Sequence, residues 1–147
     1  MQLVKLTEPE DLSILLIEDS PGDATAITKA MVHGESLYSF HITHKESLGD
    51  GMIALGMQKV DAILLDLNLP DAKEMDAIDE VHSMYPHLPI VVISGYSDMD
   101  IVHRALRSGA QDFLVKGECS GVVIRQSIYQ AMARKQIEQA YQRGDKL

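Results

Sequence analysis

The stretch Asp61 to Asp71, reading DAILLDLNLPD, decides the fold. Ala62 to Leu65 is a short continuous apolar run, the pattern of a strand buried on both faces of a parallel sheet. It stops at Asp66, and Pro70 removes the backbone donor that further pairing would need. A carboxylate at the carboxyl end of a central strand sits where open α/β sheets bind their ligands. Taken alone, Asp66 suits a turn or a helix cap equally well.

Working outward, three more apolar runs end in polar residues. Ser13 to Ile17 (SILLI) stops at Glu18 and Asp19; Pro89 introduces Ile90 to Ile93 (IVVI), which ends at Ser94 and Gly95. Gln111 to Val115 ends at Lys116 and Gly117. Tyr38, Phe40 and Ile42 alternate with polar residues, so this remaining strand is half exposed and belongs at a sheet edge.

Helices alternate with these strands. Ser20 caps the first, Pro21 suits its first position, and Asp23 favours the positive end of the helix dipole. It turns Ala24, Ile27, Ala30 and Met31 inward and ends near Gly34. The second spans Ser47 to Met57 on Leu48, Met52 and Leu55, weakened by Gly49, Gly51 and Gly56. The third spans Lys73 to Met84 with Met75, Ile78 and Val81 at helical spacing, stopped by Pro86. Asp98 caps the fourth, which turns Ile101, Val102, Ala105 and Leu106 inward and closes at Gly109. Ser120 opens a long fifth helix with Val123, Ile124, Ile128, Ala131 and Met132 inward. From Ala133 to Arg143 it turns rich in Gln, Arg and Lys, with Ile137, Ala140 and Tyr141 still apolar.

Five strands alternating with five helices predict a doubly wound α/β domain with a parallel sheet. Right-handed crossovers and the half-exposed second strand favour the order 2-1-3-4-5. The chain of 147 residues, 46% hydrophobic, is long enough to bury a core as one domain. Its net charge of -9 argues against nucleic acid as the main partner. Cys119 is the only cysteine, so there is no internal disulfide and no thiolate metal cage. No run approaches a membrane span and the start lacks the layout of a secretion signal, so a cytoplasmic protein is expected.

In the order 2-1-3-4-5 the first and third strands are neighbours. Glu18, Asp19 and Asp66 then gather at one edge, joined by Ser94 and Lys116. Three crowded carboxylates repel, and a divalent cation relieves them; an all-oxygen set with open positions suits Mg2+. Lys116 can offset charge on a transferred group and the Ser94 hydroxyl can donate to it. The convergence suits an aspartate that attacks phosphorus with metal assistance.

On these residues, from Ser13 to about Arg143, the chain resembles a response-regulator receiver domain, which has a flavodoxin-like fold. The resemblance implies Asp66 as phosphoacceptor, with Mg2+ held by Glu18, Asp19, Asp66 and the Asn68 backbone carbonyl. It implies Ser94 as switch hydroxyl, Phe113 as switch aromatic and Lys116 as the phosphate-binding lysine. It also implies self-dephosphorylation tuned by Asn68 and Tyr96, and a phosphoryl group supplied by a histidine kinase or phosphotransfer protein. The face of the fourth helix, fifth strand and fifth helix would then switch, to serve an output domain, a protein partner or a second copy in a homodimer. Such a domain assists only its own phosphorylation and dephosphorylation. The expected division is a lead-in over 1–12, the receiver over 13–132, and a helical extension over 133–147 that is either a linker to an output domain or the tail of a stand-alone receiver.

Two positions depart from the family pattern: Glu74 stands where Gly is common, and Gly117 where Pro is usual. They leave open a receiver-like interaction module that works without phosphate. An aspartate-nucleophile phosphatase is the other alternative, disfavoured because Asn68 stands where its second Asp belongs. His41 and His44 lack a third ligand at metal spacing, the eight methionines read as packing, and no glycine-rich phosphate loop follows the first strand.

Overall fold

A computed structural model describes residues 10–33 and 38–144. The elements alternate in chain order: β1 (Glu10–Ile17), α1 (Pro21–Val32), β2 (Tyr38–Lys45), α2 (Leu48–Met57), β3 (Ala62–Leu65), α3 (Asp76–Met84), β4 (Ile90–Ser94), α4 (Met99–Ser108), β5 (Asp112–Val115) and α5 (Gly121–Gln142). All adjacent strands pair in parallel, in the order β2-β1-β3-β4-β5. The apolar runs produce this arrangement: every residue of β3 and β4 is buried, whereas β2 lies at the edge and leaves His41 exposed.

The two sides of the sheet carry separate cores. On one, Leu15, Ile17, Ile63 and Leu65 pack with α2, α3 and α4; on the other, Ile14, Leu16, Leu64 and Ile93 pack with α1 and α5. The capping residues act as their chemistry suggests. The Ser20, Ser47, Asp98 and Ser120 side chains accept from the N–H groups of Asp23, Asp50, Ile101 and Val123.

Several boundaries differ from the sequence reading. β1 begins at Glu10 rather than Ser13, because Glu10 to Leu12 pair with Tyr38 to Phe40 and Leu12 is buried in the core. The earlier part of the expected lead-in, the Gly34 helix end and residues 145–147 lie outside the described residues. β5 begins at Asp112, one residue later than read. α3 starts at Asp76 rather than Lys73, because Glu74 takes φ +48, a left-handed conformation that interrupts a right-handed helix. Leu106 and Val123, expected inward, are 42% exposed, and Ala30 is only half buried.

Gly51 was read as a weakness in α2, but it permits close packing: a Cβ there would lie 2.5 Å from Ile17 Cδ1. Two cations on α5 that periodicity leaves to solvent are buried. Arg125 Nη1 donates to the carbonyls of Ala30 (3.0 Å), Met31 (3.3 Å) and His33 (3.0 Å), closing the end of α1. Lys135 Nζ donates to the Pro86 carbonyl at 3.1 Å and fastens the second half of α5 beside the loop before β4.

Candidate functional site

The parallel register brings four strand ends to one edge. The Asp66 N–H donates to the Ile17 carbonyl at 2.9 Å, and the Lys116 N–H to the Ser94 carbonyl at 2.8 Å. These bonds set Asp66 beside the acid pair after β1, and Lys116 beside the end of β4. The backbone of Glu18 is held on both sides by β2. Its N–H donates to the Lys45 carbonyl at 2.9 Å, and its own carbonyl accepts from His44 Nε2 at 2.6 Å. A carbonyl only accepts, so that ring nitrogen carries the hydrogen. His44 is thus a backbone clamp, while His41 pairs with Asp11 at 3.3 Å.

Glu18 is 0% exposed and Asp66 2% exposed, with Asp19 at the solvent side. Each offers a carboxylate oxygen, and these oxygens all lie within 4.8 Å of one another. Both Glu18 side-chain oxygens are buried without a hydrogen bond. The neighbour that offsets this acid is the Lys116 ammonium, in ion-pair contact with Glu18 Oε1. Lys116 Nζ also lies 3.1 Å from Asp66 Oδ2 and 3.0 Å from Asp23 Oδ2. The second Asp66 oxygen, Oδ1, accepts from the Asn68 N–H at 3.1 Å.

These contacts separate the acids electrostatically. Burial, reinforced by the facing Asp66, pushes the Glu18 carboxyl up to about 8. Burial also works against the charged form of Asp66. The facing Glu18, the Asn68 N–H and Lys116 outweigh that and hold it below the usual carboxylate range. The Lys116 ammonium loses solvation by burial, yet Glu18, Asp23 and Asp66 raise its pKa above the ordinary lysine value. An anionic Asp66 beside a firmly protonated lysine is suited to attack an electrophile, with a charge partner already in place.

A cavity of about 670 Å3 opens over this edge, lined among others by Asp19, Asp23, Asp66, Asn68, Ser94, Tyr96 and Lys116. Ser94 is 8% exposed and its Oγ accepts from the Tyr96 N–H at 3.4 Å. The exposed Tyr96 ring is held by its hydroxyl, which donates to Asp98 Oδ2 at 3.2 Å. Phe113 lies outside the cavity lining. It sits half buried on β5 opposite Val92, against the core beneath α4. Cys119 is half buried, and burial raises its thiol pKa.

The acidic donor set fits a hard divalent cation: three carboxylates in mutual reach, one of them buried with its Oε2 left without a hydrogen bond. Sequence reasoning missed Asp23 as part of the site, because its contact with Lys116 spans 93 positions and its local pattern is that of a helix start. It also missed the ion pair between Glu74 and Arg104, both lining the cavity. The Glu74 backbone is left-handed, a conformation that glycine adopts without strain.

The chain is similar in sequence to several regulatory proteins. It is 36% identical over 85 residues to the regulatory protein LuxO of Vibrio cholerae, covering 58% of this chain and 18% of that protein. With the transcriptional regulatory protein MalR of Bacillus subtilis it shares 27% identity over 107 residues, covering 71% of this chain and 44% of that one. The chain therefore spans less than half the length of these curated relatives. Among solved structures, a CheY-like receiver domain protein from Methanospirillum hungatei superposes with a TM-score of 0.71 at 18% identity, over 86% of this chain and 98% of that chain. NtrX from Brucella abortus superposes with a TM-score of 0.75 at 19% identity, over 90% of this chain and 30% of its own. The family model for the response regulator receiver domain matches residues 14–128, a span containing each strand-end residue that builds the cavity edge, and the chain belongs to that family.

Proposed function

We propose that Asp66 accepts a phosphoryl group from a phosphohistidine of a histidine kinase or phosphotransfer protein, and that the phosphorylated chain signals through a changed surface. The observation that carries this reading is the buried, anionic Asp66 with Lys116 Nζ 3.1 Å away and Glu18 beside it. An Asp66 oxygen attacks phosphorus, the phosphorus–nitrogen bond breaks, and its electron pair leaves on the donor imidazole. Lys116 supplies positive charge to the phosphoryl oxygens. Glu18, Asp19, Asp66 and the Asn68 backbone carbonyl would hold Mg2+, which when bound neutralises charge on the transferred group.

Ser94 stands at the rim of the same cavity, and its hydroxyl would turn to donate to the new acceptor oxygens. The space it leaves admits the Phe113 ring, reshaping the face of α4, β5 and α5. That face already exposes apolar surface, with Tyr96, just before α4, 64% exposed, Met99 68% and Leu106 42%, which suits a partner, an output domain or a second copy. Asn68 and Tyr96, at the mouth, would tune water access to the acyl phosphate.

Incubation with acetyl phosphate and Mg2+ is expected to add one phosphoryl group to the intact mass. Asp66→Asn should take up none. A wild-type chain that stays unmodified under these conditions would overturn the proposal, as would full modification of Asp66→Asn.

A further inference from the structure

Lys116 has three ammonium hydrogens, and three carboxylates surround it: Glu18, Asp66 and Asp23. Asp23 differs from the other two. It stands outside the three-acid cluster, its side chain is 51% exposed, and it sits on the first turn of α1, where its N–H donates to Ser20 Oγ at 3.2 Å. The capped helix start fixes its position, and its charge is favourable there whatever happens at Asp66. Its partner Lys116, by contrast, is largely buried, with 18% of the side chain exposed, and has no other solvent-side anion among these contacts.

We infer that Asp23 is a positioning residue for Lys116 that holds its ammonium partly away from Asp66 and so slows phosphoryl transfer. The inference rests on the phosphoacceptor reading of Asp66. A cation bound by Glu18 and Asp66 would take over those oxygens and loosen their hold on Lys116. Asp23 would then be the carboxylate still competing for the ammonium that the incoming phosphoryl oxygens need. Its contact would have to stretch or break as the lysine turns to them.

The test measures the initial rate of phosphorylation by acetyl phosphate with saturating Mg2+, read by intact mass. Asp23→Asn should be faster than wild type by about threefold or more. Asp23→Glu, which restores the anion, should return the rate toward wild type. In a Lys116→Met background the Asp23→Asn change should leave the rate unaltered, since the effect passes through the lysine. An unchanged or slower Asp23→Asn chain, or the same acceleration without Lys116, overturns the inference while wild-type phosphorylation leaves the wider reading standing. Should Lys116→Met be too slow to measure, the Asn and Glu variants decide it. No phosphorylation of wild type removes both.

Discussion

On the α1–α5 face, α5 buries Ile124, Ile128 and Ala131 together with the Arg125 guanidinium, which caps the end of α1 through three carbonyls. A Cβ at Gly121 would collide with the Ala30 carbonyl, so the two helices are in backbone contact. On the opposite face α4 buries Ala105 alone, and Met99 and Leu106 lie open to solvent. The loop leading to α3 contains Glu74 in its left-handed conformation. One face is locked by polar contacts that are expensive to break. On the other, α2 and α3 are well buried but α4 contributes only Ala105 to the core, so α4 is the helix with the least packing to lose.

The largest test of this difference is Arg125→Ala. It strands three carbonyls at a helix end and removes packed aliphatic stem, a cost of roughly 3 kcal/mol. Leu106→Ala on α4, whose side chain is substantially exposed, should cost under about 1 kcal/mol. Urea unfolding of both variants checks the ordering; comparable losses would erase the contrast between the faces.

The strand-end site crosses both faces, and pH separates its contribution from theirs. Glu18 has a folded pKa of about 8 against an ordinary 4.5, so between those values the folded chain holds a proton that the unfolded chain lacks. Stability from this group is therefore full at low pH and is lost as pH rises toward 8. Asp66 runs the other way: its lowered pKa adds stability that disappears only in acid. If the full shift is realised, metal-free protein should lose roughly 3 to 4 kcal/mol between about pH 5 and pH 8. Saturating Mg2+ should offset that loss, because the cation takes the proton's place. Thermal melts in chelator and in Mg2+ across this range check the sign. A metal-free chain that gains stability over the window would show that Glu18 is ionised without a cation.

Much of this organisation is legible in the sequence because it is local. Apolar runs such as Ala62–Leu65 and Ile90–Ile93 name the buried strands, and the residue after each run names the site. The half-exposed pattern of Tyr38, Phe40 and Ile42 places the edge, and with it the order β2-β1-β3-β4-β5. What was not legible depends on contacts between distant positions. Arg125 and Lys135 fall outside the inward set read for α5, and only the fold reveals carbonyls waiting for them at Ala30, Met31, His33 and Pro86. Asp23 looks like an ordinary helix start until Lys116 arrives from β5. Gly51 looks like a flaw until Ile17 lies beneath it.

The smallest expected effect is the most specific, and it lies in the Glu74 loop. At a position with ordinary backbone angles, Ala is more stable than Gly because glycine gives up more freedom on folding. At φ +48 the order should invert, since every side chain with a Cβ is strained there by about 1 kcal/mol and glycine is not. Glu74→Ala keeps the strain and loses the ion pair to Arg104, an exposed contact worth at most about 1 kcal/mol. Glu74→Gly loses the pair as well but releases the strain, so it should lie within about 0.5 kcal/mol of wild type and above the Ala variant. Equilibrium unfolding at low and high salt distinguishes the two contributions, because salt weakens the ion pair and leaves the backbone strain unchanged. An Ala variant more stable than the Gly variant would mean that the loop relaxes out of its left-handed turn once Arg104 is released.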